Sequence, residues 1–487
     1  MIALKNILQG VQVLEQKGDK EVAINAVVFD SRKIKANDLF VAQKGNEFDG
    51  HLFIEKAILL GAAVILCQDF PISIDSDVVY IKVKNSDKAL AVIASNFYGN
   101  PSAKLKLVGI TGTNGKTTVA TLLYDLFQKA GYKTGLLSTV KIRIAEEDFK
   151  ATHTTPDSVS INYYLSKMIA SGVTHCFMEV SSHGIHQSRT EGLSFDGGVF
   201  TNLSHDHLDY HKTFAEYRDV KKRFFDNLSK DAFALTNCDD KNGLILLQNT
   251  KAEKLTYALK SMAEFKVKII EKSFSGMLLQ VDRQEVWVRL IGDFNAYNLV
   301  AIYGVAVHLG LDKSEVLLLM SQLGNVSGRF EYTVSKSGIV TIVDYAHTPD
   351  ALKNVLDTIG GIRSGKESLI SVVGCGGDRD HSKRGKMGSI AAMLSDQVVF
   401  TSDNPRFEDP QSIIEEIEEG VLKEYVKKTL SIVDRKQAIK TAVKLAIKGD
   451  IILVAGKGHE DYQDVQGVKH HFDDKEIIKE ILEELEK

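Results

Sequence analysis

Short apolar runs alternate along this chain with longer stretches of helical spacing. Before residue 101, "AVVFDSR", "DLFVAQKG", "AAVILCQ" and "VVYIKVK" have the length of buried strands, and "HLFIEKAILLG" has helical spacing. Together they predict a small α/β unit. Pro101 lies in "YGNPSAKLK", a linker-like stretch, and strand then helix recur after it. "KLKLVGI" reads as a buried strand, and "KTTVATLLYDLFQKAG" as a helix closing at Gly131. "THCFMEV" and "GGVFTNL" are further strands, and "TFAEYRDVKKRFFDNL" sets Phe214, Tyr217, Phe224 and Leu228 on one helical face. A β-like stretch, "FSGMLLQVDRQEVWVRLIG", leads into a long apolar helix, "FNAYNLVAIYGVAVHLG". From near residue 332, "GIVTIVDYA", "ESLISVVG", "QVVFTS" and "DIILVAG" read as strands with helices between them. Such alternation predicts parallel sheets. The fold class expected is α/β with three domains, at 1–102, 103–331 and 332–487.

Composition narrows the function classes. The 487 residues suit about three domains. A net charge of −4 with scattered lysines and arginines gives no support for a nucleic-acid or membrane-surface partner. Four separated cysteines form no CxxC pair, which disfavours a zinc ribbon or disulfide scaffold and makes a reducing cytoplasm the default. No apolar run reaches the ~18 residues of a membrane span, and the first twenty residues are too polar for a signal peptide. All six prolines read as boundaries.

Chemistry enters with "LVGITGTNGKTTVATLL", residues 107–123. The usual phosphate-loop spelling is Gly, four residues, then Gly-Lys-Ser/Thr. Here Gly115, Lys116 and Thr117 supply the end, but Ile110 stands where the first glycine belongs, with Gly109 expected to end the strand and Gly112 to shape the turn. A strand, a glycine-rich turn and a helix start still suit a nucleotide triphosphate. Backbone amides and the helix N-terminus face phosphate, Lys116 neutralises it, and Thr117 offers a hydroxyl to Mg²⁺.

"MEVSSHGIHQSR" ends a strand at Glu179, suited to a metal role or to a buried capped acid. "TNLSHDHLDYH" packs His205, Asp206, His207, Asp209 and His211 into one loop, open to a zinc site, a solvated loop, or one histidine completing a Mg²⁺ shell. Pro156 in "THTTPDSVS" marks a helix start, and Asn295 and Asn298 of "GDFNAYN" share a helical face that could meet a purine edge or serve as a cap. In the last third, "VDYAHTPDAL", "VGCGGDRDHSKRG", "TSDNPRFEDP" and "AGKGHEDYQ" each follow a strand, so four loops are expected to line one cleft. Arg379 and Arg406 there suggest an acidic small substrate.

Taken together, the motifs resemble the Mur ligases, ATP-dependent amide ligases of bacterial cell-wall precursor synthesis. "GITGTNGKTT", "HTTPD", "EVSSH", "NLSHDHLDYH", "GDFNAYN", "GRFE", "DYAHTPD", "GCGGDRD", "DNPR" and "GKGHEDYQ" follow in the family's order over nearly the whole chain. One departure is "SKRG", where relatives commonly have proline at the position of Gly385. The resemblance is to members that add the third residue, and "DNPR" is similar to the version of that motif associated with meso-2,6-diaminopimelate rather than L-lysine.

The resemblance implies a uridine-binding first domain, a central P-loop ATPase domain and a C-terminal Rossmann-like domain. It implies ATP and Mg²⁺, a cytoplasmic monomer, and the small-molecule substrates UDP-MurNAc-L-Ala-D-Glu and meso-diaminopimelate. Ser31, Arg32, Thr154, Thr155, Ser181, Gln187 and Arg189 would bind the UDP-linked substrate. Gly112, Thr113, Asn114, Gly115, Lys116, Thr117 and Thr118 would hold the ATP phosphates, with Arg329; Asn295 and Asn298 would meet adenine and Asp344 the ribose. Thr117, Glu179, His207 and a carbamylated Lys221 would serve the metal, and Lys116, Glu179, His207 and Lys221 the catalysis. Arg379, Asp403, Asn404, Pro405, Arg406, Gly456 and Glu460 would hold diaminopimelate. Without the family, Lys221 and Lys222 read as a solvated helix face. The alternatives are the same ligase using L-lysine, a folylpolyglutamate-synthetase-like ligase lacking the first domain, and a P-loop transport ATPase.

Overall fold

The structure is a computed structural model that describes residues 1–18, 21–45 and 48–487. Three principal sheets follow one another along the chain. The first has five strands in the order Val13–Lys17, Val79–Val83, Ala62–Cys67, Asp38–Val41 and Val27–Val28. Its last four strands run parallel and Val13–Lys17 is antiparallel. The inner strands are almost wholly buried, as expected of a sheet covered on both faces.

The second sheet has eleven strands. Lys106–Thr111 lies between His175–Glu179 and Gly197–Phe200, and the pairing around it is parallel. From Lys106–Thr111 the chain runs through the helix Lys116–Lys129 to Thr134–Leu137 on one side, while later strands extend the sheet on the other. The phosphate-loop strand is therefore a topological switch point, where open α/β sheets gather ligands. The β-like stretch forms antiparallel strands Phe265–Ser273, Gly276–Val281 and Gln284–Val288 at one edge. The helix Asp293–His308 is buried nearly all round, because it packs against both the sheet and the helix Lys116–Lys129.

The third sheet has six strands, ordered Glu331–Val334, Val340–Asp344, Ile451–Ala455, Leu369–Val373, Gln397–Phe400 and Thr429–Ser431. Only the first is antiparallel. A separate apolar cluster fills each face. The helix Pro349–Ile362 opens on Thr348, whose hydroxyl accepts from the Ala351 amide, with proline in its first turn. Pro156, by contrast, precedes its helix: Asp157 caps Ser158–Ala170 by accepting from the Ser160 amide. Among the described residues no helix is long and apolar enough to cross a membrane.

Candidate active site

Steric demand explains the unusual loop spelling. Gly112 has φ +147°, and a Cβ there would lie 2.0 Å from Thr201 Oγ1. Gly115 has φ +88°, with Asn298 Oδ1 2.6 Å from the place a Cβ would take. Ile110 is a fully buried strand residue, so the glycines stand at 112 and 115 where the turn needs them. Gly109 does not end the strand, which continues to Thr111; it leaves room for Phe224, 2.6 Å from its would-be Cβ. Residues 201 and 202 clamp the loop. The Thr113 amide donates to Asn202 O at 2.8 Å, the Asn114 amide to Asn202 Oδ1 at 2.9 Å, and Thr201 Oγ1 to Asn114 O at 2.6 Å. Thr118 is buried in the first turn of the helix.

Two lysines converge on this turn. Lys116 Nζ donates to Gly112 O at 3.0 Å and Thr113 O at 2.8 Å, while Lys221 Nζ donates to Gly112 O at 2.9 Å. Lys221 is 1% exposed and lies over the Tyr217 ring, so it is not part of a solvated face. Burial first, and then the neighbouring Lys116 charge, holds the Lys221 amine well below its ordinary pKa. Burial likewise lowers Lys116.

Behind the loop lies Glu179, fully buried. Its carboxylate accepts from Thr117 Oγ1 at 3.0 Å, the Thr139 amide at 2.7 Å and Thr139 Oγ1 at 3.1 Å. Arg329 Nη2 donates to Thr117 Oγ1 at 3.2 Å and stacks its guanidinium on Tyr345. The network continues outward through serine and threonine hydroxyls. Thr154 Oγ1 lies 3.1 Å from Thr139 Oγ1, and Thr155 Oγ1 contacts Glu179 O at 2.9 Å and Ser181 Oγ at 3.0 Å. Arg189 donates to Thr155 O at 2.6 Å and to Gln187 Oε1, and Gln187 Nε2 donates to Tyr210 Oη.

The histidine loop disperses rather than forming a zinc cage, and no metal-holding group of three His, Cys, Asp or Glu occurs among the described residues. His205 Nε2 lies 3.5 Å from Asp380 of the third domain. His211 is fully buried. His207 adopts φ +54° and sets its ring edge-on to His183 at 4.9 Å. Burial, opposed by Asp206, lowers the His207 pKa, so the imidazole is neutral and able to act as a ligand.

Lys116, Thr117, Thr139, Glu179, His207 and Arg329 line a cleft of about 720 Å³ between the second and third sheets, whereas Lys221, Thr155, Ser181, Gln187 and Arg189 lie off it. That volume lies in the range of small-molecule sites. Of the two asparagines, Asn298 lines it, whereas Asn295 does not. Asn295 Nδ2 is committed to Ile291 O at 2.8 Å, and its Oδ1 accepts from Asn298 Nδ2 at 3.1 Å. Asn295 thus orients Asn298. Asp344 also lines the cleft and accepts from the Phe330 amide at 2.6 Å. Burial, opposed by Arg329, raises its pKa to about 6. His347, missed by the sequence reading, lines the cleft and is pushed down to about 4 by burial. The signal was available, since it belongs to "DYAHTPD".

The four third-domain loops do not line one cleft. Only 344–361 contributes to it. The 455–463 loop lies behind Tyr345, whose ring is 5.1 Å from His459; the 401–410 loop joins it through Asn404 and meets the 373–385 loop through Arg406. The physical reason is the close approach of Gly458, whose would-be Cβ falls 2.7 Å from Gly328 O and from Tyr345 Cβ. In this second cluster Asn404 Nδ2 donates to Glu460 Oε2 at 2.7 Å. Gly456, at φ +119°, leaves room for Asp403 Oδ2, 2.4 Å from its would-be Cβ. Pro405 is buried, and Arg406, at φ +51°, contacts Gly377 O. Arg379 is exposed and, among the described residues, donates only to Asp378 O.

In the first domain Ser31 is buried, while Arg32 is exposed and pairs with Asp30 at 2.9 Å. Neither lines the cleft. The helix Ser86–Phe97 packs on Ser158–Ala170 of the second domain, and Gln43 Nε2 donates to Asp87 Oδ1 at 2.6 Å. The sequence reading had no signal for that pair, because its partners lie 44 residues apart.

Comparison with known proteins decides the family. Residues 23–98 match the catalytic domain of the Mur ligase family, 110–306 its middle domain and 328–458 its glutamate ligase domain. The UDP-N-acetylmuramoyl-L-alanyl-D-glutamate–2,6-diaminopimelate ligase of Cytophaga hutchinsonii is 54% identical, over 99% of this chain and 100% of its own length. The chain belongs to the Mur ligase family. The ligase of the same name from Bacteroides thetaiotaomicron is 53% identical over 98% of this chain and 99% of its own. A solved structure with that name superposes with TM-score 0.67 at 29% identity, covering 95% of this chain and 96% of that one. A MurF structure from Acinetobacter baumannii shares the fold, with TM-score 0.67 at 15% identity and 99% of each chain covered.

Proposed function

We propose that this chain is an ATP-dependent amide ligase of peptidoglycan precursor synthesis, acting in the cytoplasm. It joins meso-2,6-diaminopimelate to the D-glutamyl γ-carboxylate of UDP-MurNAc-L-Ala-D-Glu. The observation that carries this reading is one phosphate loop meeting two further sets of groups. On one side is the hydroxyl and arginine chain Thr154–Thr155–Ser181–Arg189; on the other is Arg329, which leads to the third-domain cluster. The extent of the Cytophaga and Bacteroides relatives supports the substrate assignment.

A carboxylate does not condense with an amine unaided, because its oxygen is a poor leaving group. The γ-carboxylate oxygen attacks the terminal phosphorus of ATP, the bond to the bridging oxygen breaks, and ADP departs. Lys116, Arg329 and the loop amides position and neutralise the phosphoryl group. The amine then attacks the acyl carbon, and the tetrahedral oxyanion collapses to the amide with loss of phosphate and a proton. The same cations stabilise that oxyanion. Asn298 faces the base and Asp344 the ribose, while Ser31 and Arg32 belong to the uridine end. Arg379, Arg406 and Glu460 serve the amino acid.

Magnesium fits the donor set. Glu179 is fully buried and forms no ion pair among the described residues, beside the Thr117 hydroxyl and the neutral His207 imidazole. When bound, the ion supplies positive charge to the phosphate oxygens. Lys221 is suited to carbamylation: burial lowers the pKa of its amine, and the unprotonated amine attacks CO₂ and loses a proton, leaving an anionic oxygen donor.

The test is phosphate release from ATP and UDP-MurNAc-L-Ala-D-Glu with either meso-diaminopimelate or L-lysine. Release with diaminopimelate supports the reading. Release with lysine alone rejects the specificity, and release with neither rejects the function.

A further inference from the structure

We propose that Lys457 is a positioning residue of the amino-acid site, fixing which groups of Asn404 and Glu460 face the ligand. This rests on the reading of the third-domain cluster as that site.

Lys457 is fully buried. A buried ammonium is tolerated only when paired and hydrogen-bonded. Its Nζ donates to Asn404 Oδ1 at 3.2 Å, to Glu460 Oε2 at 3.4 Å and to Tyr462 O. An ammonium carries three N–H donors, so all are spent on protein acceptors and none remains for a ligand. Lys457 therefore acts through its partners.

Those partners are left with a defined remainder. Asn404 Oδ1 accepts from Lys457 and, at 2.9 Å, from the Asp464 amide, which forbids the flipped amide orientation. Asn404 Nδ2 gives one hydrogen to Glu460 Oε2 and retains one. Glu460 uses Oε2 for both contacts and keeps Oε1. What stays available is one N–H donor beside one carboxylate oxygen. That pair matches the carboxylate and ammonium of a free amino acid, the zwitterion any candidate amine substrate presents. The Lys457 charge also opposes the burial and the Asp403 charge that raise the Glu460 pKa, favouring its anionic form.

The same hairpin secures Arg406. Tyr462–Val465 pairs with Val468–His471, and Arg406 bridges to Val465. The Arg406 amide donates to Asp464 O at 3.0 Å and the Gln466 amide to Arg406 O at 2.8 Å. One buried lysine thus joins two segments of the site, residue 404 and the loop from 457 to 462.

The experiment measures kcat and KM for ATP, UDP-MurNAc-L-Ala-D-Glu and the amino acid in wild type, Lys457→Met, Lys457→Gln, Asn404→Ala and the Lys457→Met/Asn404→Ala double variant. The wild-type arm, run with both meso-diaminopimelate and L-lysine, tests the function itself; the variants use whichever amino acid the wild type accepts. Lys457→Met should raise the amino-acid KM about tenfold or more, with the other two KM values within about twofold. The double variant should be no more than about twofold worse than the worse single, because both changes break one link. Should Lys457→Met fail to fold, Lys457→Gln keeps a neutral donor toward Asn404 and should show the same selective rise. An unchanged amino-acid KM, a parallel rise in all three KM values, or fully multiplicative losses in the double variant would overturn the proposal.

Discussion

The phosphate loop and the third-domain cluster solve the same problem, holding charge in a protein interior, by different means. At the loop, backbone does the holding: Gly112 and Gly115 sit where no side chain fits, and Asn202 grips the turn by its own backbone and amide. In the cluster, side-chain charges do it: Lys457 joins Asn404 and Glu460, and behind them Arg435 and Asp474 form a fully buried ion pair. Arg435 also reaches Ala455 O at 3.1 Å and Ser402 O at 3.4 Å, the residues just before Gly456 and Asp403. A backbone cradle suits phosphate, which is recognised alike in every ATP. A side-chain cluster can be retuned to a different amine without moving the sheet.

Two glycine substitutions would break the comparison most sharply. Gly112→Ala should cost about 10³-fold in kcat/KM for ATP, since both φ and the 2.0 Å approach to Thr201 exclude a methyl group. Gly456→Ala, crowding Asp403, should instead raise the amino-acid KM and leave the ATP KM within about twofold. Steady-state kinetics on each substrate distinguishes them, and a shared effect on ATP would erase the contrast.

Arg406→Ala is the next largest. A site built to pair a carboxylate leaves that group unpaired when the arginine is gone. Turnover with meso-diaminopimelate should therefore fall about 10²-fold, with little change in any residual use of L-lysine. Equal losses with both amino acids would remove Arg406 from the selection.

Asp344→Asn sharpens the loop side. The buried carboxyl has its pKa raised to about 6, so the folded protein binds a proton more tightly than the unfolded chain. Its contribution to stability is present at low pH, is lost as pH rises through about 6, and is then flat. At pH 7 the asparagine variant should be more stable by about 3 kcal/mol, the gap closing as pH falls from about 6 to about 4, while ATP affinity falls. Thermal melts at the two pH values check this.

The smallest effect is expected between domains. Asn114 Nδ2 donates to Asp350 Oδ2 at 3.3 Å, an exposed contact across the cleft. Asn114→Ala should change kcat by no more than about fivefold, because exposed polar contacts are worth ~1 kcal/mol or less.

Much of this was legible in the chain. Strand and helix periods placed the three sheets, and the phosphate loop could be read because its chemistry is contiguous in sequence. The histidine loop could be read as polar but not resolved into roles: which ring faces the cleft depends on packing among His183, His207 and His211. Asn295 and Asn298 looked equivalent on a helical face and both are buried, yet only the hydrogen bonds of the folded chain decide that one orients the other. Lys457 carried no signal of its own, since its role depends on Asn404, 53 positions away, being brought beside it. Arg435 and Asp474 were likewise invisible, being two charges 39 positions apart that meet only in the folded interior.

The central claim is that one site activates a carboxylate with ATP before an amine captures it. Heavy-oxygen label placed in the D-glutamyl γ-carboxylate of UDP-MurNAc-L-Ala-D-Glu tests it most directly, with the released phosphate analysed by mass spectrometry. The account predicts that one labelled oxygen per turnover passes into phosphate, in the presence of meso-diaminopimelate. Phosphate released without label would contradict it.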